Sequence, residues 1–153
     1  MTSSAPYDAA FVDALLASHA VLLREPLVPA HVPPAARAAW LYAEADFAVL
    51  AHDTQSDPSF VYANLEAQRH FEGSWQELVG MPSRLSAEAP ERAERAATLA
   101  QVAQHGYTRG YTGLRVARTG RRFWIEGGTI WNVRGPDGVT WGQAAAFART
   151  RPA

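Results

Sequence analysis

The chain contains no cysteine and no lysine: every one of its 14 basic residues is arginine. Without cysteine there are no disulfides, no thiolate catalysis, no thiolate metal site and no cysteinyl cofactor adduct. Without lysine there is no Schiff-base chemistry, lysine-held pyridoxal phosphate included. Net charge is nearly absent as well, at −1 with histidine neutral, so nothing draws the chain generally to nucleic acid or to anionic lipid. No apolar run approaches the roughly 20 residues that cross a bilayer. The N-terminal MTSSAPYDAA lacks the basic-then-apolar pattern of a signal peptide, and a cytoplasmic location is the expectation.

What is present suits a single globular core: 153 residues, 48% hydrophobic and 19% charged. Pro6 opens a helical pattern reaching about Arg24, with Phe11, Val12, Leu15, Leu16, Leu22 and Leu23 at three- and four-residue spacing. Pro26, Pro29, Pro33 and Pro34 then enforce an extended connector. A second helix is expected from Pro34 to about Ala45. We treat residues 1–45 as a helical cap with its connector, and residues 46–149 as the core domain.

Within the core, Phe47–Ala51 and Phe60–Ala63 read as a strand pair across the turn-rich DTQSDP. Asn64 is the expected cap of a short helix over Leu65–Glu72. Ser74 and Glu77 have capping-box spacing for another, ended by Gly80-Met81-Pro82. Pro90 opens a longer helix to about His105, closed by Gly106. Strands are expected over Tyr111–Arg118, Arg122–Val133 and Trp141–Arg149, with Thr119-Gly120 and Gly135-Pro136-Asp137-Gly138 as turns. Two strand groups flanking a helical stretch close most naturally as an α+β, five-stranded antiparallel sheet with helices on one face.

This order, with DPSFVYANLEAQRHFEGSWQELVGMPSRL, GRRFWIEGGTIWN and GQAAAF, resembles a PAS domain and, more closely, the MEKHLA family. That PAS-like domain occurs alone in bacteria and at the C-terminus of plant class III homeodomain-leucine-zipper regulators. The resemblance covers about 100 residues and extends weakly into REPLVP. It implies a PAS-like fold and a sensory or regulatory binding role, with no chemistry that can be carried over. The stretch GMPSRL lies where flavin-binding light sensors carry GxNCRFL. Ser83 therefore stands at the position of their photoreactive cysteine and Arg84 at that of their phosphate-facing arginine, while Ile125 replaces a flavin-binding Asn. Ser83 forms no cysteinyl–flavin adduct; non-covalent flavin or haem stays open.

Strand alternation places Phe123, Ile125, Gly127, Thr129 and Trp131 on one face, and Gln143, Ala145 and Phe147 together on the last strand. Register with PAS domains turns both sets toward the helices. Small Gly127 and Ala145 would leave volume there, and Thr129 and Gln143 would supply directional hydrogen bonds, as in a ligand pocket; the alternative is a filled core with Gln143 bonded to backbone. Tyr62, Asn64, Phe71 and Trp75 are further candidate walls of such a pocket, although Asn64 also reads as a plain cap and the aromatics as core. Arg84 suits a carboxylate or phosphate at the pocket mouth, or else pairs with Glu88 or Glu91. His52-Asp53 reads as a hydrogen-bonded loop pair or an acid–base pair, and Glu126 is expected to pair with Arg115. The five histidines show no metal-ligand spacing, and the arginines of 118–122 read as a solvated hairpin tip.

Three functions follow as expectations. The first is a sensory or regulatory module that binds a small molecule, with no effector domain in the sequence, so that a signal passes to an effector protein. The second is a small enzyme (isomerase, cyclase or hydrolase) working through His52, Asp53 or Tyr111. The third is a ligand-free dimerisation scaffold. The apolar stripe of the first helix must lie across the open sheet face or pair with its copy, so a homodimer through that helix is expected.

Overall fold

Helix α1, Ala9–Leu23, starts where the Asp8 carboxylate accepts a hydrogen bond from the Phe11 amide at 3.1 Å, a donor that the first turn would otherwise leave unpaired. The computed structural model describes residues 8–153, so Pro6, expected to open this helix, lies outside the described residues. The second helical segment is not one regular helix. A 3-10 turn over Pro34–Ala36 passes into the three-residue α2, Arg37–Ala39, and then into a π turn over Trp40–Glu44. Among the described residues no helix is long and apolar enough to cross a membrane.

Strands β1 (Ala48–His52) and β2 (Phe60–Ala63) form the expected antiparallel pair. The Asp53 carboxylate organises the turn between them by accepting from the Gln55 and Ser59 amides. Asn64 caps α3, Leu65–Phe71, and the Ser74–Glu77 capping box starts α4, Trp75–Leu78. Helix α5 runs Ala89–His105 up to Gly106. Strands β3 (Tyr107–Val116), β4 (Arg122–Arg134), β5 (Thr140–Phe147) and β6 (Arg149–Pro152) complete the chain. The antiparallel sheet has the order β2-β1-β5-β4-β3. Strand β6 pairs with β4 beyond the end of β5 and in the same register, so it prolongs the line of β5 instead of widening the five-position sheet.

Helices cover both faces of this sheet. On one, α1 packs Phe11, Val12, Leu15 and Leu23 against Val49, Ala51, Tyr62, Trp131 and Val133. The indole nitrogen of Trp131 donates to the Leu15 carbonyl at 3.1 Å, and Val28 and Val32 of the proline-rich connector close the same core. The stripe of α1 is thus buried against its own sheet, the first of its two expected placements. The opposite face holds Leu50, Phe60, Phe71, Phe123, Ile125 and Phe147 beneath α3 and α5.

Gly127 separates the two halves of β4. Its φ is +67°, a conformation that costs other residues roughly 1–2 kcal/mol, and a Cβ there would stand 3.1 Å from the Arg149 guanidinium. Gly113 pairs with Ile125 while Tyr111 pairs with Gly128, so one extra residue of β4 is accommodated as a bulge and side-chain parity inverts across it. The expectation that Phe123, Ile125, Gly127, Thr129 and Trp131 share one face is therefore corrected: Phe123 and Ile125 face α3 and α5, whereas Trp131 belongs to the α1 core.

Candidate functional site

Between α5 and the middle of the sheet lies a cavity of about 50 Å³. Its apolar wall includes Leu50, Phe60, Phe71, Leu99, Ile125 and Phe147, and its polar wall His52, Ser86, Arg95, Tyr111, Arg115 and Gln143. Helical spacing brings Arg95 and Leu99 to one side of α5, and alternation brings Tyr111 and Arg115 to one face of β3. The cavity persists because α5 turns its alanines outward and meets the sheet through Arg95, Leu99 and Val102, of which Val102 alone is buried.

Two polar latches tie α5 down. The Asn132 amide donates to the Val102 carbonyl at 3.0 Å, and the Gln143 amide donates to the Leu99 carbonyl at 2.9 Å and to Asn132 Oδ1 at 3.1 Å. His52 is 8% exposed. Its Nδ1 lies 2.9 Å from the Asp53 carbonyl oxygen, which can only accept, while Nε2 is buried without a hydrogen-bond partner. Burial holds the His52 pKa below the usual 6.5, partly opposed by the Asp53 carbonyl and the Gln143 side chain, so the ring is neutral at pH 7 with Nε2 as its acceptor nitrogen. His52, Leu99 and Gln143 also line a surface groove, which makes them the threshold between solvent and cavity.

The charge in the lining is all of one sign. Arg115 is 6% exposed and donates to the Leu114 carbonyl and the Tyr111 hydroxyl, both neutral. Burial, with the nearby charge of Arg115, lowers the pKa of Arg95 to about 10. No aspartate or glutamate lines the cavity.

Several sequence candidates are brought together and others are not. Phe71, Ile125, Thr129, Gln143 and Phe147 line the cavity. Tyr62, Trp75 and Trp131 instead join the α1 core, with Tyr62 and Trp75 edge-to-face at 5.6 Å, and Gly127 is the bulge. Asn64 accepts from the Val49 and Ala67 amides and donates to the Leu41 and Phe47 carbonyls, all at 2.9–3.0 Å. Its capacity is spent on joining three segments, so a ligand finds no free group there. Ser83 is buried outside the cavity lining. Arg84, half-exposed, pairs with Asp57 at 3.2 Å instead of Glu88 or Glu91. Glu126 pairs with Arg151 instead of Arg115. Arg118, Arg121 and Arg122 pair with Glu77, Glu72 and Glu88. His52, Arg95, Tyr111 and Arg115 complete the lining; for the two arginines the signal was the same spacing that places Leu99 and Tyr111.

The flavin and haem left open by the sequence do not fit this lining. A volume of about 50 Å³ is far below the roughly 300–1,000 Å³ of sites for drug-sized molecules, and two guanidinium groups occupy the wall. Among the described residues no group of three or more histidines, aspartates or glutamates is arranged to hold a metal ion.

The sheet order, the helices between its two strand groups and the cavity beneath α5 define a PAS-type α+β domain. Solved structures agree on the fold. The PAS domain of a Colwellia psychrerythraea protein superposes with a TM-score of 0.62 at 15% identity, covering 75% of this chain and 92% of that one. An RNA-binding light-oxygen-voltage receptor gives 0.60 at 20% identity over 80% of this chain and 35% of its own. The light-oxygen-voltage protein of Rhodobacter sphaeroides gives 0.59 at 14% identity over 70% and 61%. The MEKHLA domain model matches residues 9–151, and the chain belongs to the MEKHLA domain family. No curated protein matches it.

Proposed function

We propose that this domain is a sensory or regulatory module that binds a small molecule between the sheet and α5 and passes the binding event to an effector protein. The observation that carries this reading is a cavity whose polar lining includes His52 Nε2, a buried atom with no hydrogen bond of its own, since such groups are normally satisfied within the protein. Residues 46–149 would hold the ligand and residues 1–45 would act as a cap. Helix α5, tied to the sheet by Gln143 and Asn132, is the element that a ligand would shift. A homodimer through α1 would engage the outer side of that helix, where Val21 is 76% exposed, because the inner stripe is already covered.

Native mass spectrometry of the purified protein tests this reading and counts subunits. The expected result is a small adduct on the wild type that is absent from Ala145→Leu, whose larger side chain fills the cavity. An adduct retained equally by both proteins places the ligand elsewhere. A second reading, acid–base catalysis, draws on the same neutral His52 and on Tyr111, which both line the cavity. Asp53, the third candidate, is engaged in its turn.

A further inference from the structure

Seven arginines of this protein are paired at its surface, and the two that line the cavity are not. Arg69, Arg84, Arg109, Arg118, Arg121, Arg122 and Arg151 each meet a carboxylate at the surface. Arg95 and Arg115, which line the cavity, meet none among the described residues. Glu91, one turn earlier on α5, has a buried carboxylate oxygen without a hydrogen-bond partner, but it does not line the cavity and forms no ion pair with Arg95. Buried guanidinium groups are ordinarily paired. Here Arg115, buried, and Arg95, half-buried, share a wall with a histidine acceptor and a set of apolar side chains.

We propose that the cavity takes a short-chain hydroxycarboxylate, its carboxylate held by Arg95 and Arg115, its hydroxyl donated to His52 Nε2, and its carbons against Leu99, Ile125 and Ile130. This rests on the cavity being a ligand site, as argued above, and adds the chemical class. Guanidinium groups favour planar oxyanions. The apolar wall favours a carboxylate with a carbon body over a fully hydrated inorganic anion. The neutral, unprotonated Nε2 calls for a hydrogen-bond donor on the ligand. Size sets the limit. At about 10–15 Å³ per water, the volume matches about four waters and hence a molecule of only a few non-hydrogen atoms. The threshold formed by His52, Leu99 and Gln143 gives such a molecule a way in from the adjoining groove.

Calorimetric titration and thermal shift with lactate, lactamide, propionate and inorganic phosphate test the assignment on the full chain. Lactate is expected to bind saturably, with lactamide and phosphate each weaker by about tenfold or more and propionate in between. Arg95→Gln is expected to lower lactate affinity by about tenfold or more, and Arg95→Lys to retain part of it. Relief of the charge repulsion is expected to raise the Tm of ligand-free Arg95→Gln by about 2 °C, which separates lost binding from lost folding. Equal binding of lactate and lactamide overturns the anion while leaving the cavity as a ligand site. Undiminished lactate binding by Arg95→Gln, or a lowered Tm, overturns the role of Arg95 and the proposal with it. Phosphate binding as tightly as lactate reduces the site to a general anion trap and overturns the carbon body. An adduct that Ala145→Leu abolishes, with no response to lactate, keeps the module reading and removes this one.

Discussion

Two helices of similar length cover the sheet, 15 residues on one face and 17 on the other, and they cover it differently. Helix α1 buries Phe11, Val12, Ala14, Leu15, His19 and Leu23, and its contact is sealed by aromatic stacking of Phe11 on Tyr62 and Trp141. Helix α5 buries Val102 alone and is held by two side-chain amides across a cavity. The cause is sequence composition: leucine, valine and phenylalanine of α1 interdigitate with the sheet, whereas α5 offers it little beyond Arg95, Leu99 and Val102, which leaves space and charge. Tight packing makes one face the source of stability. Sparse packing leaves the other with little to lose when a ligand displaces its helix.

The largest expected effect lies on the sealed face. Leu15 is fully buried, and Leu15→Ala is expected to cost about 3–4 kcal/mol in urea unfolding, from lost transfer energy and the cavity left behind. A cost near that of an α5 substitution would break the contrast. Next comes the hinge between the faces. Gly127→Ala is expected to cost about 1–2 kcal/mol, because alanine must adopt the positive φ that sets the parity of β4.

Acid should weaken the protein in a defined window. Burial lowers the pKa of His52 from the usual 6.5, so the unfolded chain takes up its proton at a higher pH than the folded one. Stability is therefore full above pH 6.5, declines as pH falls through the gap between the two values, and levels off below the folded one. The limiting slope is about 1.4 kcal/mol per pH unit for each such histidine, and His52→Gln should flatten it. An unchanged acid limb in that variant would show that the threshold histidine is not held neutral. The smallest effect is expected for Leu99→Ala, at or below about 1 kcal/mol, with the same urea titration as its check.

Much of the fold was legible because its signals are local. Asn64, Ser74 with Glu77, and Gly106 mark helix ends by their own hydrogen-bonding and backbone chemistry, and each does so in the structure. The site was less legible, for a reason that one residue illustrates. Gly127 absorbs an extra residue, and strict alternation carried through it sent Trp131 to the wrong face. Phe71, Gln143 and Phe147, not separated from their neighbours by a bulge, did reach the cavity. Arg95 and Arg115 were hidden differently. An arginine in a helix or strand looks solvated unless its partners are known, and here the informative fact is the absence of a carboxylate, which only three-dimensional proximity reveals. Asn64 was a candidate wall whose four hydrogen bonds to β1, the π turn and α3 emerge only once the three segments meet.

Hydrogen exchange read peptide by peptide, without and with lactate, tests most directly whether α5 covers the working face and α1 the structural one. The expected result is that α5 amides in the free protein exchange much faster than those of α1, and that lactate slows exchange in α5 and β5 while leaving α1 unchanged. Equal protection of the two helices in the free protein, or a lactate effect centred on α1, would contradict it.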